Sequence, residues 1–283
     1  MNSVAGAFLK WLGRIPGNLA REGPTGYVRR RLEAGRHRYH WAVVARAHRL
    51  KARRATIAGC DLVLPESREG IVKELLLFGV HEPLATQLYS GLLAEGDIVC
   101  DVGTNLGYYM AVANRSIGPT GVIWGFEPEP AMYRVACLNA RSLSCKASVL
   151  DCAVSDGDGT AVFHQSAVPN WGSLIHSERL RVTCSLEVKT VSLDGFFARG
   201  GFAPTVIRMD IEGGELSALR GSAGILATHR PKLFVEIHPF LLGPEHTEAA
   251  FDLLVRCGYE RVVTVDRRFD WPWVSESRRR ASV

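Results

Sequence analysis

One stretch limits what this chain can fold into more than any other: Asp97-Ile-Val-Cys-Asp101-Val-Gly103-Thr104-Asn105-Leu-Gly107-Tyr108-Tyr-Met110. Ile98 to Val102 is an apolar run interrupted by one acid, which reads as a strand. Gly103, Asn105 and Gly107 then turn the chain, and Tyr108 to Arg115 suits a helix. Glycines at such a turn let backbone come close to something. Glu127 follows at the end of a second strand-like run, residues 121–126, at 20 positions past Gly107. An acid so placed accepts hydrogen bonds from ribose hydroxyls. The glycine spacing departs from G-x-G-x-x-G, because Asn105 stands where a dinucleotide fold admits a pyrophosphate. A nucleoside without a diphosphate fits better. The competing reading is an ordinary strand-to-helix turn with structural glycines; Asp101 and Glu127 weigh against it.

From Asp97 onward strand and helix patterns alternate. Strands are expected at 97–102, 121–126, 147–152, 204–209 and 232–237, with helices at 107–116, 129–142, 192–199 and 214–227. A helix at 246–257 and strands at 260–266 and 269–274 would close the sheet. This is an α/β pattern: a mostly parallel, seven-stranded sheet with helices on both faces. Hydrophobic content of 47% with 22% charged residues suits a globular core of that size. Residues 160–191 break the alternation. Val162-Phe163-His164 and Leu186-Glu187-Val188 read as an inserted β pair around a polar loop, 169–173. Ahead of the main domain (96–275), residues 56–65 read as a hairpin ended by Pro65, and residues 66–95 as two helices covering the site. Glu74 and His81, on that cover, are placed either at the site or on the surface.

Ligands of open α/β sheets bind at the carboxyl ends of the strands. The acids fall there: Asp101, Glu127, then Asp210 and Glu212, then Glu236 with His238. Helix capping by the dipole explains Glu215 and part of Glu129. It explains Asp210 and Glu212 less well, since they sit in the loop.

Residues 1–60 hold 13 Lys and Arg against two acids, Glu22 and Glu33, while the rest of the chain is net acidic. Such asymmetry suggests an arm that meets something anionic. For 1–55 two readings stand: a helical extension packed on the core, or an amphipathic arm at a membrane surface. The apolar start, Val4 to Ile15, is too short to span a bilayer, and no secretory signal is expected. Arg29-Arg30-Arg31 belongs to no recognisable nucleic-acid module. The seven cysteines form no C-x-x-C pair, so neither a zinc ribbon nor a disulfide framework is indicated, and a cytoplasmic protein with reduced thiols is expected. The tail at 276–283 is basic.

Five motifs in order carry a family resemblance: Asp101-Val-Gly-Thr-Asn-Leu-Gly-Tyr-Tyr, Phe126-Glu-Pro, Ala153-Val-Ser-Asp, Met209-Asp-Ile-Glu-Gly-Gly-Glu and Glu236-Ile-His. Together, over roughly residues 70–265, they resemble the FkbM family of S-adenosylmethionine-dependent methyltransferases. Arg208 departs from the family's usual Lys. The resemblance implies a class I methyltransferase fold, S-adenosyl-L-methionine as cofactor and, most often, O-methylation. It places Gly103, Thr104, Asn105, Gly107 and Tyr108 around the methionine part, with Asp101 orienting the loop or meeting the amine. Glu127 and Pro128 would hold the ribose, and Cys152 and Ala153 the adenine. Asp210 meets the ammonium or the acceptor. His238 is the expected base, oriented by Glu236, with Asp210 and Glu212 as rivals. No metal is expected, because no tight ligand spacing occurs; the rival reading puts a divalent ion among Asp210, Glu236 and His238. The expected acceptor is a hydroxyl of a sugar, glycolipid or other lipid-linked glycan, or polyketide-type product. The alternatives are a nicotinamide-dependent oxidoreductase and a non-catalytic nucleoside-binding module.

Overall fold

The structure is a computed structural model that describes residues 53–66, 70–167, 171–238, 241 and 243–260. Residues 1–52 and 261–283 lie outside that description, and with them most of the expected arm, the last two expected strands and the basic tail. No helix among the described residues is long and apolar enough to cross a membrane.

The chain enters through an antiparallel hairpin, β1 (Arg54–Ile57) and β2 (Cys60–Val63). Its first strand begins two residues before the expected start. Leu64 N–H also bonds back to the Arg53 carbonyl, at 2.8 Å. Two helices follow, α1 (Ile71–Phe78) and α2 (Pro83–Leu92). Then come β3 (Ile98–Val102), α3 (Tyr108–Ile117), β4 (Val122–Phe126), α4 (Pro130–Ala140) and β5 (Lys146–Leu150). A short β6 (Ala153–Val154) leads into β7 (Gly159–Ser166) and β8 (Val182–Val191), then α5 (Leu193–Gly200). The chain continues through β9 (Val206–Met209), α6 (Glu215–Arg220), α7 (Ala223–His229), β10 (Lys232–Val235) and α8 (Pro244–Arg256).

The described part of the central sheet has five strands in the order β10-β9-β3-β4-β5, all parallel. All four residues of β9, and Val99 to Val102 of β3, are buried. That continuous burial is what parallel strands covered on both faces require. One face packs under β1, β2 and α1 to α3, around Leu62, Tyr89, Met110 and Ile117. The other packs under α5 to α8, around Phe126, Phe197, Leu219 and Leu226.

The order places the site. From β3 the chain winds outward through β4 and β5, then returns on the other side of β3 as β9 and β10. The winding direction changes between β3 and β9, and their carboxyl ends open there. In the expected insert, β7 and β8 pair antiparallel, with Phe163 opposite Leu186 and Val162 opposite Glu187. They form a second sheet with β6.

One expected element divides. The helix read as continuous over 214–227 is two helices, α6 and α7, broken at Gly221 and Ser222. The cause lies 27 residues upstream. Asp194 N–H bonds the Gly221 carbonyl at 2.9 Å, and its carboxylate accepts from Gly224 N–H and Ile225 N–H, each at 2.8 Å. The free N–H groups of a helix start need such a partner, so α7 begins afresh at Asp194. A Cβ at Gly221 would lie 2.0 Å from the Ser155 carbonyl oxygen, so this turn is also pressed against the β6 loop.

Candidate active site

The carboxyl ends of β3, β4, β6 and β9 surround an open cavity. The β3–α3 turn forms its floor. Gly103 has φ +80°, a conformation that L side chains rarely adopt, and a Cβ there would lie 2.0 Å from the Asp210 carbonyl oxygen. The first glycine therefore serves a close approach between two loops of the site. Gly107 has a different task. Its Cβ would meet Met110 and the α4 residues Asn139 and Ala136, so it seats α3 on α4 and does not line the cavity, contrary to expectation. Asn105 adopts φ +53°, which Asn tolerates better than most side chains.

Glu127 is tied to that turn. Its Oε2 accepts from Asn105 N–H at 2.7 Å and its Oε1 from Glu129 N–H at 2.9 Å. The side chain is 6% exposed and faces the cavity. Burial pushes its carboxyl up to about 8, against the pull of the two backbone donors. Each oxygen of a carboxylate can accept a further bond, so a diol arriving here would offset part of the burial cost.

Arg208 holds the two loops together. Asp101 on β3 and Arg208 on β9 are register partners. Nη1 donates to the Gly103 carbonyl at 2.9 Å and to Asp101 Oδ1 at 3.3 Å; Nη2 donates to Asp210 Oδ2 at 2.6 Å. The guanidinium also lies 4.2 Å over the Tyr109 ring. Burial works against its charge, but Asp210 and Asp101 more than offset this and raise its pKa. Asp101 is fully buried and its pKa is raised, by burial first, with Arg208 opposing. Of its two expected roles the geometry therefore supports orienting the loop, since it does not line the cavity.

The acids and His238 separate into two groups. Asp210 and Glu212 line the cavity; Glu236 and His238 do not. Glu212 has φ +50°, a strained position of the kind that gathers at functional sites. His238 is 3% exposed. Its Nδ1 lies 2.8 Å from Glu215 Oε1, and its Nε2 lies 3.4 Å from Glu212, 3.4 Å from Glu236 and 3.8 Å from Asp210. Burial disfavours its charge, yet Glu215, Glu236, Asp210 and Glu212 push its pKa up to about 11. An imidazole that does not line the cavity and is held by Glu215 does not suit the base expected at this position. Glu215, read as a helix-dipole residue, is the side chain that fixes His238, and it also accepts from Gly213 N–H at 3.0 Å.

The remaining expected residues divide as well. Thr104, Tyr108, Pro128 and Ala153 line the cavity; Cys152 is buried beside it. His81, left open by the sequence, lines the cavity. Its Nδ1 pairs with Glu74, its Nε2 lies 3.5 Å from Glu82, and its ring packs edge-on against Tyr108. The sequence reading missed the wall supplied by the insert, Phe163, Trp171, Gly172 and Leu174. A Cβ at Gly172 would press to 2.3 Å of the Phe163 ring. The signal was the aromatic residue in a polar loop between two predicted strands.

Residues 101–261 match the sequence model of the methyltransferase FkbM domain. A curated relative, the hexuronic acid methyltransferase AglP of Haloferax volcanii, is 26% identical over 145 residues, 51% of this chain and 57% of its own length. The chain thus spans little more than half of that relative. Among solved structures, methyltransferase FkbM from Methylobacillus flagellatus aligns with TM-score 0.44 and 20% identity, over 69% of this chain and 50% of its own. A Thermotoga maritima S-adenosylmethionine-dependent O-methyltransferase aligns with TM-score 0.39 and 13% identity, over 69% and 57%. With more than half its length matched, the chain belongs to the methyltransferase FkbM family.

Proposed function

We propose that this protein is an S-adenosylmethionine-dependent methyltransferase that methylates a hydroxyl of a sugar, free or lipid-linked. The observation that carries the reading is Glu127, a buried carboxyl at the end of β4, braced by Asn105 N–H and open to the cavity. It suits a ribose diol. Gly103, with the N-terminus of α3, suits the methionine end. Backbone at Ala153 suits the adenine. When bound, the cofactor supplies a methyl group already activated by its sulfonium. The chain's own task is to hold the acceptor in line, and such positioning is worth roughly 7–11 kcal/mol when the geometry is good.

Asp210 and Glu212 face the acceptor, and Arg208 sets the angle of Asp210. Trp171 offers a flat apolar face to the same cavity, where the carboxylates suit hydroxyls. That pairing favours a sugar over a polyketide-type product. The name of the curated relative, a hexuronic acid methyltransferase, supports the same class. Nicotinamide binding is disfavoured by Asn105 in the turn. Calorimetry with S-adenosylhomocysteine and with NAD separates the two readings: binding of the first and not the second is expected, and the reverse would overturn the proposal.

Glu127→Ala removes the charged acceptor for two hydroxyls. Hydrogen bonds to charged groups contribute about 1.5–3 kcal/mol, so affinity for S-adenosylhomocysteine is expected to fall tenfold or more. Unchanged affinity in the folded variant would take Glu127 out of the site.

The arm is proposed to bring the protein to anionic surfaces. Each Lys or Arg near such a leaflet is worth about 1 kcal/mol, screened by salt. Because β1 starts at Arg54 and Arg53 bonds Leu64, the cut that tests this must fall before Arg53. A chain starting at residue 52 is expected to keep cofactor affinity and to lose salt-sensitive binding to phosphatidylserine vesicles. Full-length protein that ignores such vesicles at low salt would end the membrane role.

A further inference from the structure

We propose that Asp210, Glu236 and His238 bind one first-row divalent cation, with Glu212 beside it. The three residues each bring a ligand atom to within 4.8 Å of the others. They come from two neighbouring parallel strands, β9 and β10, whose carboxyl ends lie side by side. Their spacing is informative. Ligands sit about 2.0–2.2 Å from a small divalent ion, which puts neighbouring ligands about 3.0–3.5 Å apart. His238 Nε2 stands 3.4 Å from Glu236, 3.4 Å from Glu212 and 3.8 Å from Asp210. The two 3.4 Å separations already fall in that range, and Asp210 stands a little beyond it.

One further feature points the same way. Glu215 grips Nδ1 at 2.8 Å and so turns Nε2 toward the three carboxylates. A carboxylate behind a histidine is the usual way to aim a metal-binding imidazole. A mixed set of carboxylates and one imidazole suits Mn²⁺ or Zn²⁺ better than Ca²⁺. Ligand spacing along the chain had weighed against a metal; the pairing of β9 with β10 reverses that, since it supplies the proximity that no local motif shows.

The site opens to the cavity through Asp210 and Glu212. There the ion would fix the oxygen of the acceptor. That role rests on the methyl-transfer reading; the binding of the ion does not.

The test uses the full-length protein, stripped with a chelator and dialysed, then titrated with Mn²⁺ while the free ion is followed by electron paramagnetic resonance. One Mn²⁺ per chain is expected, with a dissociation constant in the micromolar range. Glu236→Gln, at a side chain that is 23% exposed and so tolerant of the change, is expected to weaken it at least tenfold. Glu215→Gln is expected to weaken it about 10–100-fold by loosening the imidazole. Asp158→Asn, at an exposed pair with Arg199, is expected to leave it unchanged. No saturable binding below about 1 mM, or equal binding by the Glu236→Gln variant, overturns the site and leaves His238 as the cluster's own counter-ion. Calorimetry with S-adenosylhomocysteine on the same samples separates the two readings. Mn²⁺ bound without it would sink methyl transfer and keep the ion; the opposite result would do the reverse.

Discussion

Arg208→Ala is expected to cost about 3–5 kcal/mol of stability, the usual penalty for removing one partner of a buried ion pair. The guanidinium is 5% exposed and serves Asp101, Asp210 and the Gly103 carbonyl at once. Without it Asp101, which is fully buried, keeps no cation, and the β3 and β9 loops lose their common tie. Urea denaturation measures this as a lower midpoint at an unchanged slope. Arg208→Lys is the informative companion. It keeps a charge but has no planar fork, so it is expected to recover part of the stability and to leave one of the two loops loose. A loss below about 1 kcal/mol for Arg208→Ala would mean that Asp101 is neutral and the triad is ornamental.

The second large effect is expected at Gly103. An alanine must adopt φ +80° with its Cβ 2.0 Å from the Asp210 carbonyl oxygen. Left-handed backbone costs a non-glycine residue about 1–2 kcal/mol, and forcing extra atoms into a packed site typically costs about 1–3 kcal/mol more. The contact is backbone, so a side-chain rotation cannot relieve it. Relief comes from pushing the β9–α6 loop outward, and Asp210 and Glu212 move with it. Misplacement by about 1 Å is enough for a hundredfold loss of rate. Gly103→Ala is therefore expected to keep its secondary structure, melt earlier and lose about a hundredfold in methyl transfer once an acceptor is in hand. Gly107→Ala, packed against α4, is expected to lose stability with a smaller effect on turnover. Equal turnover losses at the two glycines would contradict the division of labour assigned here.

Local pattern alone determined a good deal about this protein. The βαβ order, the strand ends at Asp101, Glu127 and Asp210, the hairpin before the domain and the inserted β pair all follow from apolar periodicity and turn residues. Those signals are short-range, and neighbours in sequence express them without help from the rest of the chain. Glu127 could be placed because its distance from the glycine turn is fixed by one helix and one strand.

Tertiary structure decided the rest, because it depends on which distant strands become neighbours. Asp101 and Arg208 stand 107 positions apart and meet only because β9 pairs with β3 in one register. Nothing in their own segments announces an ion pair. The same holds for Asp194, which ends one helix and starts another from across a loop. Strand ends named the acids at 210, 212 and 236 but did not say which of them face the cavity. Packing put Asp210 and Glu212 on the cavity and left Glu236 and His238 off it, with Glu215 holding the imidazole. A histidine's surroundings decide whether it is a base, a ligand or a buried cation. Those surroundings come from four carboxylates on two segments, which the chain brings together only on folding.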